Sequence, residues 1–154
     1  QAPWTRAYFP EIVRSIQSDG MISVVQIKRL LCGTVITCTL PALIACALAP
    51  QILEIWLNDP KVVSIGIVPL RLLLFAVALN SLYGCIYQFI IAKRQSHKVL
   101  QFNLISFVVA ILVICLWGTD DGLILGGIIW ISTAFTQLLL GLIWWFVTSQ
   151  SQAQ

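Results

Sequence analysis

Charged residues are scarce in this sequence. They make up 10% of its 154 residues, where an ordinary soluble domain carries about 25%. Hydrophobic residues make up 59%, and the mean hydropathy is +0.94. A soluble core of this size cannot bury that much apolar surface, so the composition excludes a soluble domain. The net charge of +3 is also too small to indicate a nucleic-acid partner.

Residues that carry catalysis or bind metals are equally rare. His97 is the single histidine, and no Cys, Asp or Glu lies close to it in a pattern typical of a metal site or a proton relay. No glycine-rich phosphate loop follows a strand, and no serine lies in a nucleophile elbow. We therefore expect no enzymatic activity, no cofactor and no metal.

The cysteines do not indicate a disulfide framework. All five lie inside long apolar runs, where a thiol behaves as a small hydrophobic group. We expect neither a disulfide nor a redox site from Cys32, Cys38, Cys46, Cys85 and Cys115.

The first thirty residues also have no compact apolar segment or small-residue cleavage site of the kind that a signal peptide needs. The chain begins with Gln1 rather than methionine. We expect Gln1 to be an internal position of a longer gene product, whose other helices would then be partners of this segment.

Four apolar runs fill about two thirds of the chain, at 30–53, 62–92, 99–119 and 122–149. A helix needs about 20 predominantly apolar residues to cross a bilayer core of roughly 30 Å, and each run is at least that long. The sequence therefore predicts an all-α polytopic membrane protein with four transmembrane helices and a short tail at 150–154.

The positive charges predict the orientation of these helices. Lys and Arg concentrate in 1–29 and in the 93–98 loop, whereas the other two connections carry Asp and Glu and a single Lys. By the positive-inside rule, 1–29, the 93–98 loop and the 150–154 tail are cytoplasmic. The predicted location is the inner (cytoplasmic) membrane.

Residues 1–29 are less apolar than the rest, with Ile12, Val13 and Ile16 at helical spacing and a second apolar stretch from Val24. We interpret this region as two short amphipathic helices on the cytoplasmic face. They would serve as a connector between membrane helices, or alternatively as a lipid sensor.

Arg71 is the only charge well inside a run, nine residues after Val62, or about 13 Å along a helix. One interpretation is an anion-binding residue that faces a water-filled cavity. The other is an arginine whose long stem extends to the outer interface from a tilted helix.

Other polar residues form stripes along two of the runs. They are Asn80, Tyr83, Gly84 and Tyr87 in the second run, and Thr133, Gln137 and Gly141 in the fourth. Such stripes hold helices together or line a polar conduit. If they line a conduit, Asn80, Tyr83, Tyr87 and Gln137 join Arg71 as candidate substrate-binding residues. A helical angle of about 180° separates Asn80 from Arg71, so these two should not share a site.

Proline and glycine positions add predictions about helix shape. Pro41 and Pro69 each remove a backbone hydrogen bond inside a run and predict kinks. Gly122 and Gly126 have the GxxxG spacing that favours close helix packing.

The order of these features resembles the late part of a polysaccharide or lipid-linked oligosaccharide flippase of the MOP (MATE-like) superfamily. The similarity covers nearly the whole chain, although each matching motif is short. It is carried by Ala2-Pro3-Trp4, Asp19-Gly20, Lys28-Arg29, Leu40-Pro41, Leu48-Ala49-Pro50, Trp56-Leu57, Leu70-Arg71-Leu72-Leu73, Tyr87-Gln88, Ala92-Lys93-Arg94 and the Asp121-Gly122 entry to the last run. The chain departs from the pattern at Asn58-Asp59-Pro60 and at Lys93-Arg94-Gln95, where glycines are more usual.

The resemblance implies two helix bundles around a central cavity, with this chain supplying the last four helices of the common core. It implies a lipid-linked glycan substrate with an anionic diphosphate, surrounding membrane lipid, and H⁺ or Na⁺ as a coupling ion. Arg71 matches a basic residue of the family motif. We interpret the chain as part of a transporter that flips or exports this substrate by alternating access.

Two alternatives remain open at this point. A multidrug or metabolite cation antiporter of the same superfamily would need membrane carboxylates, and none lies inside the four runs. A small four-helix scaffold or subunit without transport activity would need Gln1 to lie close to the true start.

Overall fold

The computed structural model describes residues 10–15, 24–57, 59–117 and 122–150. Of these residues 96% are helical, and none of them lies in a strand. The all-α fold predicted from the sequence is therefore confirmed.

The described chain runs through one short helix, six longer α-helices and one π-helical turn. The short helix covers 10–15. The others are α1 (Val24–Thr34), the π-helical turn (Val35–Thr39), α2 (Leu40–Ala47), α3 (Ala49–Leu57), α4 (Pro60–Ala92), α5 (Ser96–Trp117) and α6 (Gly122–Gln150).

Four helical stretches of the described chain are long and apolar enough to cross a membrane: Val25–Ala47, Pro60–Ala92, Ser96–Trp117 and Gly122–Thr148. The number of spans agrees with the sequence prediction. The protein is thus an all-α, membrane-embedded chain with four candidate transmembrane helices.

The bounds of the first span differ from the predicted 30–53. The helix already begins at Val24, so the stretch predicted as a second amphipathic helix is the start of this span. It ends at Ala47, and Leu48 forms a turn before α3. Pro50 explains the break, because proline has no N–H to continue the helical hydrogen bonds.

The helices pack around α4. Helix α6 lies against one side of α4, and the first span with α3 lies against another, while α5 packs mainly on α6. Helix α4 is therefore the central helix of the described bundle.

Gly127 and Gly141 make the closest approaches of α6 to α4. A Cβ at Gly127 would lie 2.7 Å from Leu72 Cβ, and a Cβ at Gly141 would lie 3.1 Å from Ile86 Cγ2. Among the described residues, by contrast, no atom lies within 4 Å of a Cβ placed at Gly122 or Gly126. The glycine that packs closely on α4 is Gly127, because one residue turns the helix face by about 100°, and close packing at the GxxxG pair stays a prediction.

The first span changes its hydrogen-bonding pattern just before Pro41, where the π-helical turn lies. π-Helical turns are typical of places where the regular hydrogen bonding of an α-helix is interrupted. Helix α4 is continuous through Pro69. Pro41 therefore lies at an irregularity of its span, whereas a kink at Pro69 stays a prediction.

Hydroxyl and thiol groups, buried except for the half-buried Ser81, join the first span to α4 around this turn. Cys85 Sγ donates to Thr34 Oγ1 at 3.1 Å, and Thr39 Oγ1 lies 2.8 Å from Ser81 Oγ. Because Ser81 donates its own proton to the Ala78 carbonyl, Thr39 is the donor in the second pair. We call Thr34, Thr39, Ser81 and Cys85 the polar seam.

One end of the bundle holds a packed cluster, which includes Phe89 of α4, Phe102 of α5 and Trp144 of α6. Ile12 from the 10–15 helix is 2% exposed and belongs to this cluster, and Val13 packs against it. The amphipathic pattern thus agrees with the structure at these two positions, whereas Ile16 lies outside the described residues. Residues 10–15 and the 93–98 loop therefore share one end, as the predicted topology requires.

Candidate functional site

Three polar side chains of α4 face the same direction. Helical rotation places Asn80, Tyr83 and Tyr87 within an arc of about 60°. The rings of Tyr83 and Tyr87 meet edge to face with centroids 6.4 Å apart. Asn80 is exposed, Tyr87 is half-buried and Tyr83 is buried.

An amide pair from α5 and α6 lies at the same level. Gln137 Nε2 donates to Asn103 Oδ1 at 3.0 Å. One turn further along α6, Gly141 faces the Tyr83 ring, with 3.3 Å between its ideal Cβ position and Cδ2. The α4 residues and the amide pair thus lie on one side of the bundle. We call Asn80, Tyr83, Tyr87, Asn103 and Gln137 the polar face.

Asn103 was missed by the sequence reasoning. It is one of two amides in the run at 99–119, the other being Gln101. A polar residue inside an apolar run is a signal of a functional or packing role. Its partner on another helix could not be inferred, because that pairing depends on the packing of α5 against α6.

Two buried hydroxyl groups have no hydrogen-bond partner among the described residues: Tyr83 Oη and Ser106 Oγ. Tyr83 is 6% exposed and Ser106 is 2% exposed. An unsatisfied buried hydroxyl costs about 1–3 kcal/mol. The Tyr83 hydroxyl is thus an unpaired hydrogen-bonding group within the polar face, among the described residues.

Arg71 lies away from the polar face. Its side chain is exposed, and its helical angle differs from that of Asn80 by about 180°. Its backbone carbonyl accepts a long hydrogen bond of 3.5 Å from Cys46 Sγ of α2. The polar face therefore combines four of the five residues predicted from the sequence, and Arg71 lies separately, as its helical angle predicts.

The 93–98 loop adds a positively charged patch at one end of the bundle. Lys93 Nζ lies 5.8 Å from the centre of the Trp144 ring, and Trp144 Nε1 donates to Gln95 Oε1 at 2.9 Å. Partial burial lowers the pKa of the Lys93 ammonium below its usual range. Lys93, Arg94 and Lys98 nevertheless concentrate positive charge at this end of the bundle.

The described residues contain no group of three His, Cys, Asp or Glu side chains that could hold a metal ion. All five cysteines are free thiols. No known family, curated protein or solved structure matches this sequence.

Proposed function

We propose that this chain is the C-terminal four-helix portion of a membrane transporter that flips or exports a lipid-linked oligosaccharide by alternating access. The polar face would contact the glycan while its lipid tail stays in the bilayer. Helices elsewhere in the same polypeptide would complete the cavity and bind the coupling ion, H⁺ or Na⁺.

The polar face carries this proposal because of its depth. Gln137 lies about 22 Å from Gly122 and about 20 Å from Gln150 along α6, near the middle of a span. Amides at that depth are expensive against lipid and are typical of the wall of a polar cavity. Transporter sites commonly lie near the bilayer midplane. Amide and tyrosine side chains are also suited to sugar hydroxyls, because they both donate and accept hydrogen bonds.

The exposure of Asn80 supports the same proposal. Its side chain faces out of the described bundle rather than into a helix interface. An amide directed at lipid would remain unsatisfied, whereas one directed at a cavity can bind water or substrate. Asn80 is therefore our first choice for a residue that contacts the glycan.

The test is transport of a fluorescent lipid-linked oligosaccharide by the intact polypeptide in proteoliposomes. We expect Asn80→Leu to lower kcat/KM about two- to tenfold, the effect of losing one or two hydrogen bonds. Thr37→Val is the matched control, because Thr37 is exposed on another span and bonds to Gly33 of its own helix. Equal rates for the two variants would contradict the role of the polar face.

Arg71 provides a second, separate test. Its side chain lies about 16 Å along α4 from Pro60. We expect Arg71→Ala to lower the transport rate far more than Arg71→Lys, because lysine keeps the positive charge that attracts a diphosphate. Lys61→Ala, which removes an exposed charge near the start of the same helix, serves as the control. If both Arg71 variants transport like the wild type, the charge has no role in transport.

A further inference from the structure

Helices α4 and α6 run parallel in a fixed register. Gly127 lies against Leu72 and Gly141 against Ile86, and in both pairs the α6 residue is 55 positions after the α4 residue. The two contacts are about 21 Å apart along each helix, so the helices stay side by side over that length. A level on α6 therefore corresponds to a known level on α4.

The Lys and Arg residues mark one boundary of the apolar core. We call the end of the bundle that holds the 93–98 loop the basic end. Lys93 directly follows α4 there. Because α1 runs antiparallel to α4 along the polar seam, Arg29 lies at about the level of Ile90. A Lys or Arg at the centre of a bilayer costs about 2.5–3.5 kcal/mol, so the hydrocarbon core ends near Ile91.

Helix α4 is much longer than a bilayer core. It has 33 residues and is about 50 Å long, whereas the core is roughly 30 Å thick. Fitting its whole length into the core would need a tilt of about 53°, whereas transmembrane helices tilt by at most about 40°. Because α4 ends at Ala92, beside the cations, its excess length of about 20 Å lies at the opposite end.

The second boundary of the core lies at Arg71. A core of roughly 30 Å corresponds to about 20 residues of helix, and that length, counted from Ile91 along α4, reaches Arg71. A tilt of about 20° moves the boundary by about one residue. Helix α6 agrees with this position, since it begins at Gly122. By its register Gly122 lies at the level of Ile67, about 6 Å beyond Arg71.

Arg71 is exposed and pairs with no carboxylate among the described residues. Asp59 caps the start of α4, about 18 Å along the helix from Arg71. Glu54 follows Leu53, which packs on Gly66, so it lies about 9 Å beyond Arg71. The third described carboxylate, Glu11, belongs to the basic end. At the boundary of the core, phospholipid phosphates are the anions at hand for this guanidinium.

We propose that Arg71 binds the phosphate of a bilayer phospholipid in the leaflet opposite the basic end. Its guanidinium donates hydrogen bonds to the phosphate oxygens, while α3 and the first turns of α4 lie outside the hydrocarbon core. Of the two roles that the sequence left open for Arg71, this is the interfacial one. A carrier diphosphate that reaches this leaflet would meet the same guanidinium, so the transport test of Arg71 is unaffected.

The first experiment measures depth along α4. Nitroxide labels are attached to the exposed positions Ile65, Val68, Leu73 and Val77, one at a time, in the intact polypeptide with its native cysteines replaced. The protein is placed in phosphatidylcholine liposomes, where oxygen concentrates in the core and a nickel chelate stays in water. We expect the nickel chelate to dominate at Ile65→Cys and Val68→Cys, and oxygen at Leu73→Cys and Val77→Cys.

Charge variants test what holds the boundary at this level. Arg71→Gln removes the charge, and the point where oxygen overtakes the nickel chelate should then move toward Ile65 by about one helical turn, because the apolar start of α4 can enter the core. Arg71→Lys should leave this point in place. Lys61→Gln is the matched control, because it removes an exposed charge near the start of the same helix, and it should also have no effect.

Lipid composition identifies the ligand. Digalactosyldiacylglycerol with the same acyl chains forms bilayers without phosphate. In these bilayers the wild type and Arg71→Gln should show the same boundary, whereas in phosphatidylcholine they should differ. A difference that persists without phosphate would mean that interfacial water holds the guanidinium, against the proposal.

Three further outcomes would overturn the proposal. Oxygen dominance at Ile65→Cys in the wild type would place Arg71 deep in the core. Low access of both reagents at Leu73→Cys would show that another helix covers this part of α4. Equal boundaries for the wild type and Arg71→Gln in phosphatidylcholine, with a difference only after polyprenyl diphosphate is added, would assign the guanidinium to the carrier. None of these measurements needs transport, so the result is independent of the proposed function.

Discussion

At the residue scale, Arg94 occupies a left-handed position at the end of α4, where glycine is the more usual residue. Helix α4 ends in a Schellman motif, in which Gln95 N donates to the Ile90 carbonyl and Arg94 N donates to the Ile91 carbonyl. The motif needs a left-handed residue, and Arg94 has φ 57°. A side chain with a Cβ is strained there, so this turn stores a small amount of strain.

We expect Arg94→Gly to be more stable than Arg94→Ala by about 1 kcal/mol, because only glycine adopts the left-handed conformation without a Cβ clash. Both variants remove the same charge, so their difference isolates the backbone. The measurement is the free energy of unfolding of the purified polypeptide in mixed micelles. A more stable alanine variant would mean that Arg94 is not left-handed in the membrane.

At the element scale, the tighter of the two glycine contacts between α4 and α6 lies at Gly127. Gly127 lets the two helices approach at Leu72, where even a methyl group would overlap the Leu72 Cβ. Helix association in membranes depends on such close packing, since lipid is as apolar as the side chains it replaces. The neighbouring Gly126 is exposed and contributes nothing to this contact.

Gly127→Ala should therefore destabilise the bundle by about 1–3 kcal/mol through overpacking. Gly126→Ala is the matched control, with the same chemical change one residue earlier. It should have no destabilising effect, because none of the described atoms lies within 4 Å of its Cβ position. Unfolding of both variants by sodium dodecyl sulfate titration gives the comparison. Equal stability of the two would contradict the close approach at Leu72.

At the scale of the whole molecule, charge is distributed unequally between the two ends of the bundle. The end with the 93–98 loop carries most of the Lys and Arg, whereas Glu54 and Asp59 lie at the other end with Lys61. The asymmetry favours placing the basic end in the cytoplasm by the positive-inside rule. We propose this orientation for the four spans.

Labelling of introduced cysteines tests the orientation. In a background with the five native cysteines replaced by alanine, an impermeant maleimide added to intact cells should label Lys61→Cys. It should label His97→Cys only after the cells are permeabilised, because His97 lies at the basic end. The opposite pattern would reverse the orientation, and labelling of both sites in intact cells would mean that they do not lie on opposite sides of the membrane.

The existence of the four spans and the angular positions of residues within one helix could be predicted from the sequence. They depend on length, hydropathy and the helical repeat alone. Each of the four spans buries its own backbone hydrogen bonds and needs no neighbour to satisfy them in lipid. For the same reason the angular separation of Arg71 from Asn80 could be worked out from their positions in α4.

Relations between helices needed the tertiary structure. The choice of Gly127 over Gly126 and the pairing of Asn103 with Gln137 depend on how each helix is rotated and how far it slides along its neighbour. In an apolar solvent many rotations bury similar surface, so hydropathy does not select one of them. Close packing and hydrogen bonds select it, and both depend on residues that are far apart in the chain.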